Sequence, residues 1–239
     1  VENQIDRAQA GAVASEIKAR SPVDAMLQKL RTNSALRSLV LAERNARSRL
    51  CDRWLGINTI AEYRQGFDPA ATRFRDPIGY EPSDYLILRK YMKPVRLSSD
   101  DVVFDVGCGM GRTLCLFARC RVNKCVGIEY VPALAAAAEQ NAARLRGRKA
   151  PVEIRVGDAS EADYSGGTVY WIFNSFGEGT LLRVLQRIED SLRASPRSIQ
   201  LIYVNPKHES LLRSSGWLRH TGNVRSALYR TYHASYWEN

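Results

Sequence analysis

The chain has 239 residues, 45% hydrophobic and 25% charged, and its 35 Lys+Arg exceed its 25 Asp+Glu to give a net charge of +10. That composition excludes a wholly disordered chain and a collagen-like repeat, and a chain of this length buries a core without disulfide or metal staples. The basic balance suits either an anionic partner or solubility alone, and it is shared evenly between residues 1–100 and the remainder.

Residues 2–20 carry Ile5, Ala8, Val13 and Ile17 at helical spacing, and Ser21-Pro22 interrupts the run as an N-cap and first-turn pair. Residues 23–50 are expected to form an amphipathic helix, with Leu27, Leu30, Leu36, Leu39 and Val40 among its apolar positions. Arg31, Arg37, Arg44, Arg47 and Arg49 are interleaved with them. These arginines suit a solvated face, or a basic surface for an acidic partner such as a membrane touched peripherally. Gly66 to Ser83 reads as a loop, and Ser83 is expected to cap a helix that runs to Met92.

From Asp101 the pattern changes to strands alternating with helices. Strands are predicted at 102–106, 124–128, 152–156, 168–173 and 199–204, with an edge strand at 227–232. Helices are predicted at 112–121, 132–145, 181–192 and 208–214. Such alternation makes an α/β protein with a doubly wound, mostly parallel sheet. The expected organisation is an N-terminal helical extension (1–65), a connecting loop and helix (66–93), and an α/β domain (94–239).

Cys51, Cys108, Cys115, Cys120 and Cys125 include no C-x-x-C pair, which suits reduced thiols in a cytoplasmic protein. The three histidines lack metal-ligand spacing, so no metal is expected. No apolar run is long enough to span a membrane. The sequence begins at Val1, which leaves open a targeting or anchoring segment ahead of it.

The strongest motif is Asp105-Val106-Gly107-Cys108-Gly109-Met110-Gly111, placed between a predicted strand and a predicted helix. Glycines at such a bend let the backbone approach a ligand without a Cβ in the way. A dinucleotide fingerprint needs its third glycine at position 112, which is Arg, and no Gly-Lys-Ser/Thr follows for a phosphate loop. The loop instead resembles the first motif of class I (Rossmann-like) S-adenosylmethionine-dependent methyltransferases, and the likeness extends over about residues 80 to 215. In that family a second acid ends strand two and binds the ribose diol, which Val126-Gly127-Ile128-Glu129 supplies at Glu129. A third acid after strand three meets the adenine amino group, and Gly157-Asp158-Ala159 supplies Asp158. Singly, Glu129 also fits a surface acid and Asp158 a helix cap; all three elements at strand carboxyl ends favour a cofactor site.

The resemblance implies S-adenosylmethionine as cofactor, a sheet whose last strand is antiparallel, and contacts from Asp105, Gly107, Cys108, Gly109, Gly111, Glu129, Tyr130, Asp158, Ala159 and Asn174. It also implies that Tyr80 and Ser83, in Gly79-Tyr80-Glu81-Pro82-Ser83, fold over the methionine end; Ser83 as a plain helix cap is the alternative. Asn174-Ser175-Phe176 resembles the Asn/Asp-Pro-Pro-Tyr/Phe motif of amino-group methyltransferases, lacking the prolines and one residue. It is more similar to the Asn-Asn-Phe of the non-SET histone-lysine class. The resemblance makes Asn174 and Phe176 the catalytic candidates, with Asn174 as a simple turn residue the competing view. Arg112 is expected to pair with Asp105 or Glu129.

The acceptor stays open at this stage. An amine, with protein lysine foremost, competes with a hydroxyl on a glycan, lipid or small metabolite, for which His208 is the candidate base. A non-catalytic cofactor-binding scaffold is the third possibility. Nucleic acid ranks below these, because the basic residues are spread along the chain and no nucleic-acid-binding motif occurs.

Overall fold

The computed structural model describes residues 34–60, 80, 82–226 and 233–239. The helix predicted at 2–20, its Ser21-Pro22 break, most of the 66–83 loop and the edge strand predicted at 227–232 lie outside the described residues. The chain divides into two compact units, Val1–Ala46 and Arg47–Asn239. Described residues of the first unit all belong to helix α1 (Ser34–Leu55), which runs five residues past the predicted end.

The second unit continues with α2 (Tyr85–Met92), β1 (Val102–Val106), α3 (Arg112–Phe117), β2 (Lys124–Glu129), α4 (Pro132–Arg144) and β3 (Val152–Val156). Then come β4 (Val169–Phe173), α5 (Glu178–Ala194), β5 (Gln200–Val204), α6 (Glu209–Ser214), β6 (Arg219–Arg225) and β7 (His233–Glu238). The strands form one seven-stranded sheet in the order β3-β2-β1-β4-β5-β7-β6. β1 to β5 are parallel, whereas β7 runs antiparallel to β5 and to β6. The sequence order reverses between β1 and β4, and open α/β sheets bind ligands outside the strand carboxyl ends at such a switch.

β1 is nearly continuously apolar because both faces of a parallel sheet are covered. Its alternate residues divide between two cores. Val103 joins Trp171, Val204, Leu114, Phe117, Leu88 and Tyr91 on one side. Phe104 and Val106 join Tyr170, Ile172, Leu201, Leu181, Val184 and Leu212 on the other. α2 and α3 therefore cover one face, and α5 and α6 the opposite one.

Two local expectations change. The cap of α2 is Asp84 rather than Ser83: the Leu86 amide donates to Asp84 Oδ1 at 2.7 Å. An aspartate one residue closer satisfies the first-turn donor that Ser83 was expected to meet. β6, which the sequence pattern missed, alternates exposed and half-buried residues at the sheet edge and so carries no apolar signal.

Candidate active site at the strand carboxyl ends

The glycine loop is pinned to the end of β2. The amides of Gly107 and Cys108 both donate to Ile128 O, at 2.9 and 3.0 Å, and the Gly109 amide donates to Glu129 Oε2 at 2.7 Å. Gly109 has φ +54 and Gly107 φ +78, conformations that side-chain-bearing residues rarely adopt. Both are also crowded. A Cβ on Gly109 would lie 2.4 Å from the Tyr80 ring, and one on Gly107 would lie 2.6 Å from Ser175 Cβ. Gly111 is the N-cap of α3 and approaches Ala138 of α4.

Asp105 and Glu129 are both buried, at 3% and 7% exposure. Burial, aided by the nearby Glu129 charge and opposed by the Leu114 amide, pushes the Asp105 carboxyl up to about 7. The Leu114 amide belongs to the first turn of α3, whose glycine N-cap supplies no side-chain acceptor. Burial also raises the Glu129 carboxyl, against the amides of Val131, Gly109 and Tyr130, which favour its charged form. Its oxygens accept from Gly109 and Val131 at 2.7 and 2.9 Å, and a carboxylate oxygen retains a second acceptor site that suits a vicinal diol.

At the end of β3 the Gly157 amide donates to Glu129 O, which sets Asp158 beside the β2 end. Asp158 Oδ1 accepts from the Ser160 amide at 2.8 Å in a local turn, with no helix following for it to cap; its other oxygen makes no hydrogen bond among the described residues. Ala159 is buried, and so is Ser160, whose hydroxyl has no hydrogen-bond partner among the described residues. Tyr130 remains 37% exposed just past β2. Cys108 is buried with its thiol packed toward Gly127, and the thiol donates to Gly109 O of the loop at 3.7 Å.

Past β4, Asn174 has φ +22 and is 4% exposed. Its Oδ1 accepts from the Tyr203 hydroxyl at 3.4 Å, and the Ser175 hydroxyl donates back to Phe173 O at 2.7 Å. The turn is thereby folded against Gly107, the first residue of the glycine loop. Phe176 is buried in the core with Ile172 and Tyr203. The described side chain that meets Asn174 is Tyr203, whereas His208 stands half-buried at the N-cap of α6.

Arg112 corrects an expectation. It pairs with neither Asp105 nor Glu129; its Nη2 lies 3.6 Å from Asp52 Oδ1, its Nε donates to Thr59 Oγ1 at 2.7 Å, and its Nη1 donates to Ser83 O at 2.6 Å. The guanidinium also stacks over the Tyr85 ring at 4.5 Å, and the Tyr85 hydroxyl donates to Asp52. The helix that follows the loop starts at Arg112, and its side chain turns away from the strand ends toward the segment after α1. Thr59 O in turn accepts from the Tyr80 hydroxyl at 2.8 Å, which holds the Tyr80 ring on Gly109.

Sequence reasoning missed this support shell because its partners are far apart in the chain. Thr59 and Arg112 are 53 residues apart, and Asn58 and Asn141 are 83 apart. Asn141 is fully buried and bonds Asn58 and Met110 O. The one available signal was an amide on the buried Leu134–Ala135–Ala138 face of α4. A polar cavity lined by Arg96, Asp101, Thr168, Gln200 and Glu238 lies at the opposite, amino end of the strands, and its charges largely pair with one another.

The strand order, the pinned glycine loop and the acids at successive strand ends define a class I methyltransferase, with S-adenosylmethionine as the methyl donor. Residues 103–195 match the family described as "Methyltransferase domain". The chain is 28% identical over 153 residues to a protein-lysine N-methyltransferase of Saccharolobus islandicus, a stretch of 60% of this chain and 90% of that one. In fold it is similar to a SAM-dependent methyltransferase from Aquifex aeolicus (TM-score 0.52, 16% identity, 72% of this chain and 99% of that chain). A precorrin 8w decarboxylase from Methanobacterium thermoautotrophicum has the same fold (TM-score 0.52, 23% identity, 67% and 92% covered). Among the described residues no helix is long and apolar enough to cross a membrane.

The residues present fit the cofactor. Glu129 offers acceptor oxygens of the kind a ribose diol needs, and Asp158 keeps one uncommitted oxygen two residues from the orphaned Ser160 hydroxyl. Asp105 adds an acidic group at the end of β1 beside the loop.

Proposed function

We propose that the protein methylates an amine, with lysine side chains of proteins as the acceptor class. The observation that carries this reading is Asn174: a buried amide in the left-handed region at the end of β4, its Oδ1 held by Tyr203 and its turn folded on the glycine loop. An amide oxygen fixed there accepts a hydrogen bond from the target nitrogen and aims its lone pair at the methyl group. The activated sulfonium asks for alignment more than for acid–base chemistry. The name of the Saccharolobus relative supports the same acceptor class.

In this reading Glu129 and Tyr130 hold the ribose, and Asp158 and Ala159 the adenine. Asp105 and the backbone of Gly107, Cys108, Gly109 and Gly111 receive the methionine end. Tyr80, with Ser83, covers that end, and Phe176 supports the Asn174 turn from the core side. Residues 94–239 are the catalytic domain, 66–93 the connector that covers the cofactor, and 1–65 a helical extension. The five free cysteines favour a reducing, cytoplasmic setting.

Tritiated methyl donor supplied to a fractionated lysate tests the proposal. Label recovered as methyllysine after acid hydrolysis of protein supports it; label confined to glycan, lipid or small-molecule fractions overturns it. Asn174→Ala should lower kcat about a hundredfold while cofactor affinity holds, as expected for a lost positioning contact.

A further inference from the structure

We propose that the pole at the amino ends of β2 and β3 is a docking surface for an anionic lipid membrane. α3 and α4 both run back from the strand carboxyl ends, so their last turns emerge at this pole together with the last turns of α1. Three chain segments meet there. The Arg146 amide donates to Leu55 O at 2.8 Å, and the amides of Lys149 and Ala150 donate to Ala118 O at 2.8 and 3.0 Å. Arg119 bridges the group, its guanidinium 4.4 Å from the Trp54 ring centroid and its Nε near Gly147.

This joint gathers Arg53, Arg119, Arg144, Arg146, Arg148 and Lys149. No Asp or Glu occurs in residues 53–60, 118–128 or 140–152. The nearby Asp52 is buried and turned inward to Arg112, Thr59 and Tyr85, and Glu153 at the start of β3 is taken up by Lys124 and Arg155. Among the described residues none of the six makes an ion pair. Their donors go to neutral oxygens instead: Arg144 to Gln140 O and Asn141 Oδ1, Arg148 to Ala142 O, and Arg146 to Arg53 O. Capping of helix carbonyls accounts for one or two cations per helix end. Whatever their local capping roles, six cations at one joint with no ion pair among the described residues create a field that attracts anions.

Two exposed apolar side chains stand beside these cations. Leu50 is 69% and Trp54 64% exposed, and at i, i+4 they share one face of α1. Their chemistry decides between the polyanions that such a charge could meet. A single-stranded nucleic acid needs open aromatic faces for its bases, but one face of Trp54 carries Arg119, and Leu50 offers a base neither stacking nor a hydrogen bond. A tryptophan and a leucine ringed by arginines suit the headgroup–acyl boundary, where the cations meet lipid phosphates and the apolar side chains enter the interface. Docking through this pole leaves the strand carboxyl ends, and so the methyl-transfer site, facing away from the bilayer.

Co-sedimentation of the full chain with vesicles tests the proposal. Binding is expected with equal parts phosphatidylcholine and phosphatidylglycerol, and not with phosphatidylcholine alone. Arg53→Gln with Lys149→Gln, whose side chains make no hydrogen bond or ion pair among the described residues, should weaken binding roughly 25-fold, about fivefold per charge. Leu50→Ser with Trp54→Ser should also weaken it, with the thermal midpoint lowered by at most a few degrees, because both side chains are exposed and only the Arg119 stack on Trp54 is lost. Brominated phosphatidylglycerol should quench the fluorescence of the native chain more than that of Trp54→Phe. The proposal is overturned if anionic vesicles do not bind, if neither pair of substitutions weakens binding, or if the two fluorescence responses are equal. Vesicles ignored while polyuridylate binds through the same arginines would also overturn it, in favour of nucleic acid.

Discussion

Replacing Asp105 by Asn removes a carboxyl that the fold keeps reluctant to ionise. Burial and the neighbouring Glu129 raise it from 3.8 to about 7. A group whose folded pKa is raised favours folding while it is protonated in both states, and that contribution is lost as pH rises toward the folded value. The loss therefore begins near pH 3.8 and is complete slightly above pH 7. At 1.36 kcal/mol per tenfold change in proton affinity, the full effect is about 4 kcal/mol. Between about pH 5 and about pH 8.5 it grows by roughly 2.5 kcal/mol. Asn is isosteric and still accepts from the Leu114 amide, so Asp105→Asn isolates the ionisation. Urea unfolding followed by circular dichroism at both pH values should give a variant-minus-native difference that favours the variant more at the higher pH. A difference that stays constant with pH would refute the argument. So would a reversed slope, because it would mean that the ionised carboxylate is stabilised within the fold.

Three further outcomes follow from the same geometry. Arg112→Met should cost about 3–5 kcal/mol, since it strands the buried Asp52 carboxylate, and the combined Arg112→Met/Asp52→Asn variant should recover part of that in thermal unfolding. Gly109→Ala places a Cβ 2.4 Å from the Tyr80 ring, so it should displace Tyr80; loss of cofactor affinity with little change in kcat, seen by titration and turnover, is the expected pattern. Glu129→Gln preserves shape but exchanges one acceptor oxygen for a donor that faces a backbone amide. Isothermal titration should show cofactor binding weakened by at least tenfold, a figure in line with about 1.4 kcal/mol for a charged hydrogen bond.

β1 to β5 and the helices from α3 to α6 were legible because their apolar residues recur at the right spacings and because glycine, proline and capping residues punctuate them; β6 and β7 were not. Asp105, Glu129 and Asp158 could be singled out because each lies at or just past the end of a recognisable strand, and a strand end is a local property. Asn174 was legible as a position; its left-handed backbone and its contact with Tyr203 were not. The α2 cap shifted by one residue because two adjacent side chains, Ser83 and Asp84, were both competent and only backbone geometry chose between them. Phe176 was a catalytic candidate by resemblance, and its burial in the α5-side core depends on how the turn after β4 folds back.

By itself the sequence determined the alternation of strands and helices, the glycine bend, and the acids at three strand ends. Those features are set by local periodicity and by steric limits that act within a few residues. Tertiary structure alone decided where Arg112 points, how Tyr80 is held over Gly109, and that Asp105 holds its proton near neutrality. Each of these depends on groups tens of residues away and on exclusion of water. The charge follows the same division. Along the chain the basic residues are evenly spread, but the reversal of α3 and α4 brings their last turns to one pole with the end of α1, where six cations stand without an ion pair among the described residues. Spacing in a sequence does not encode such proximity; the packing of helices on a sheet creates it.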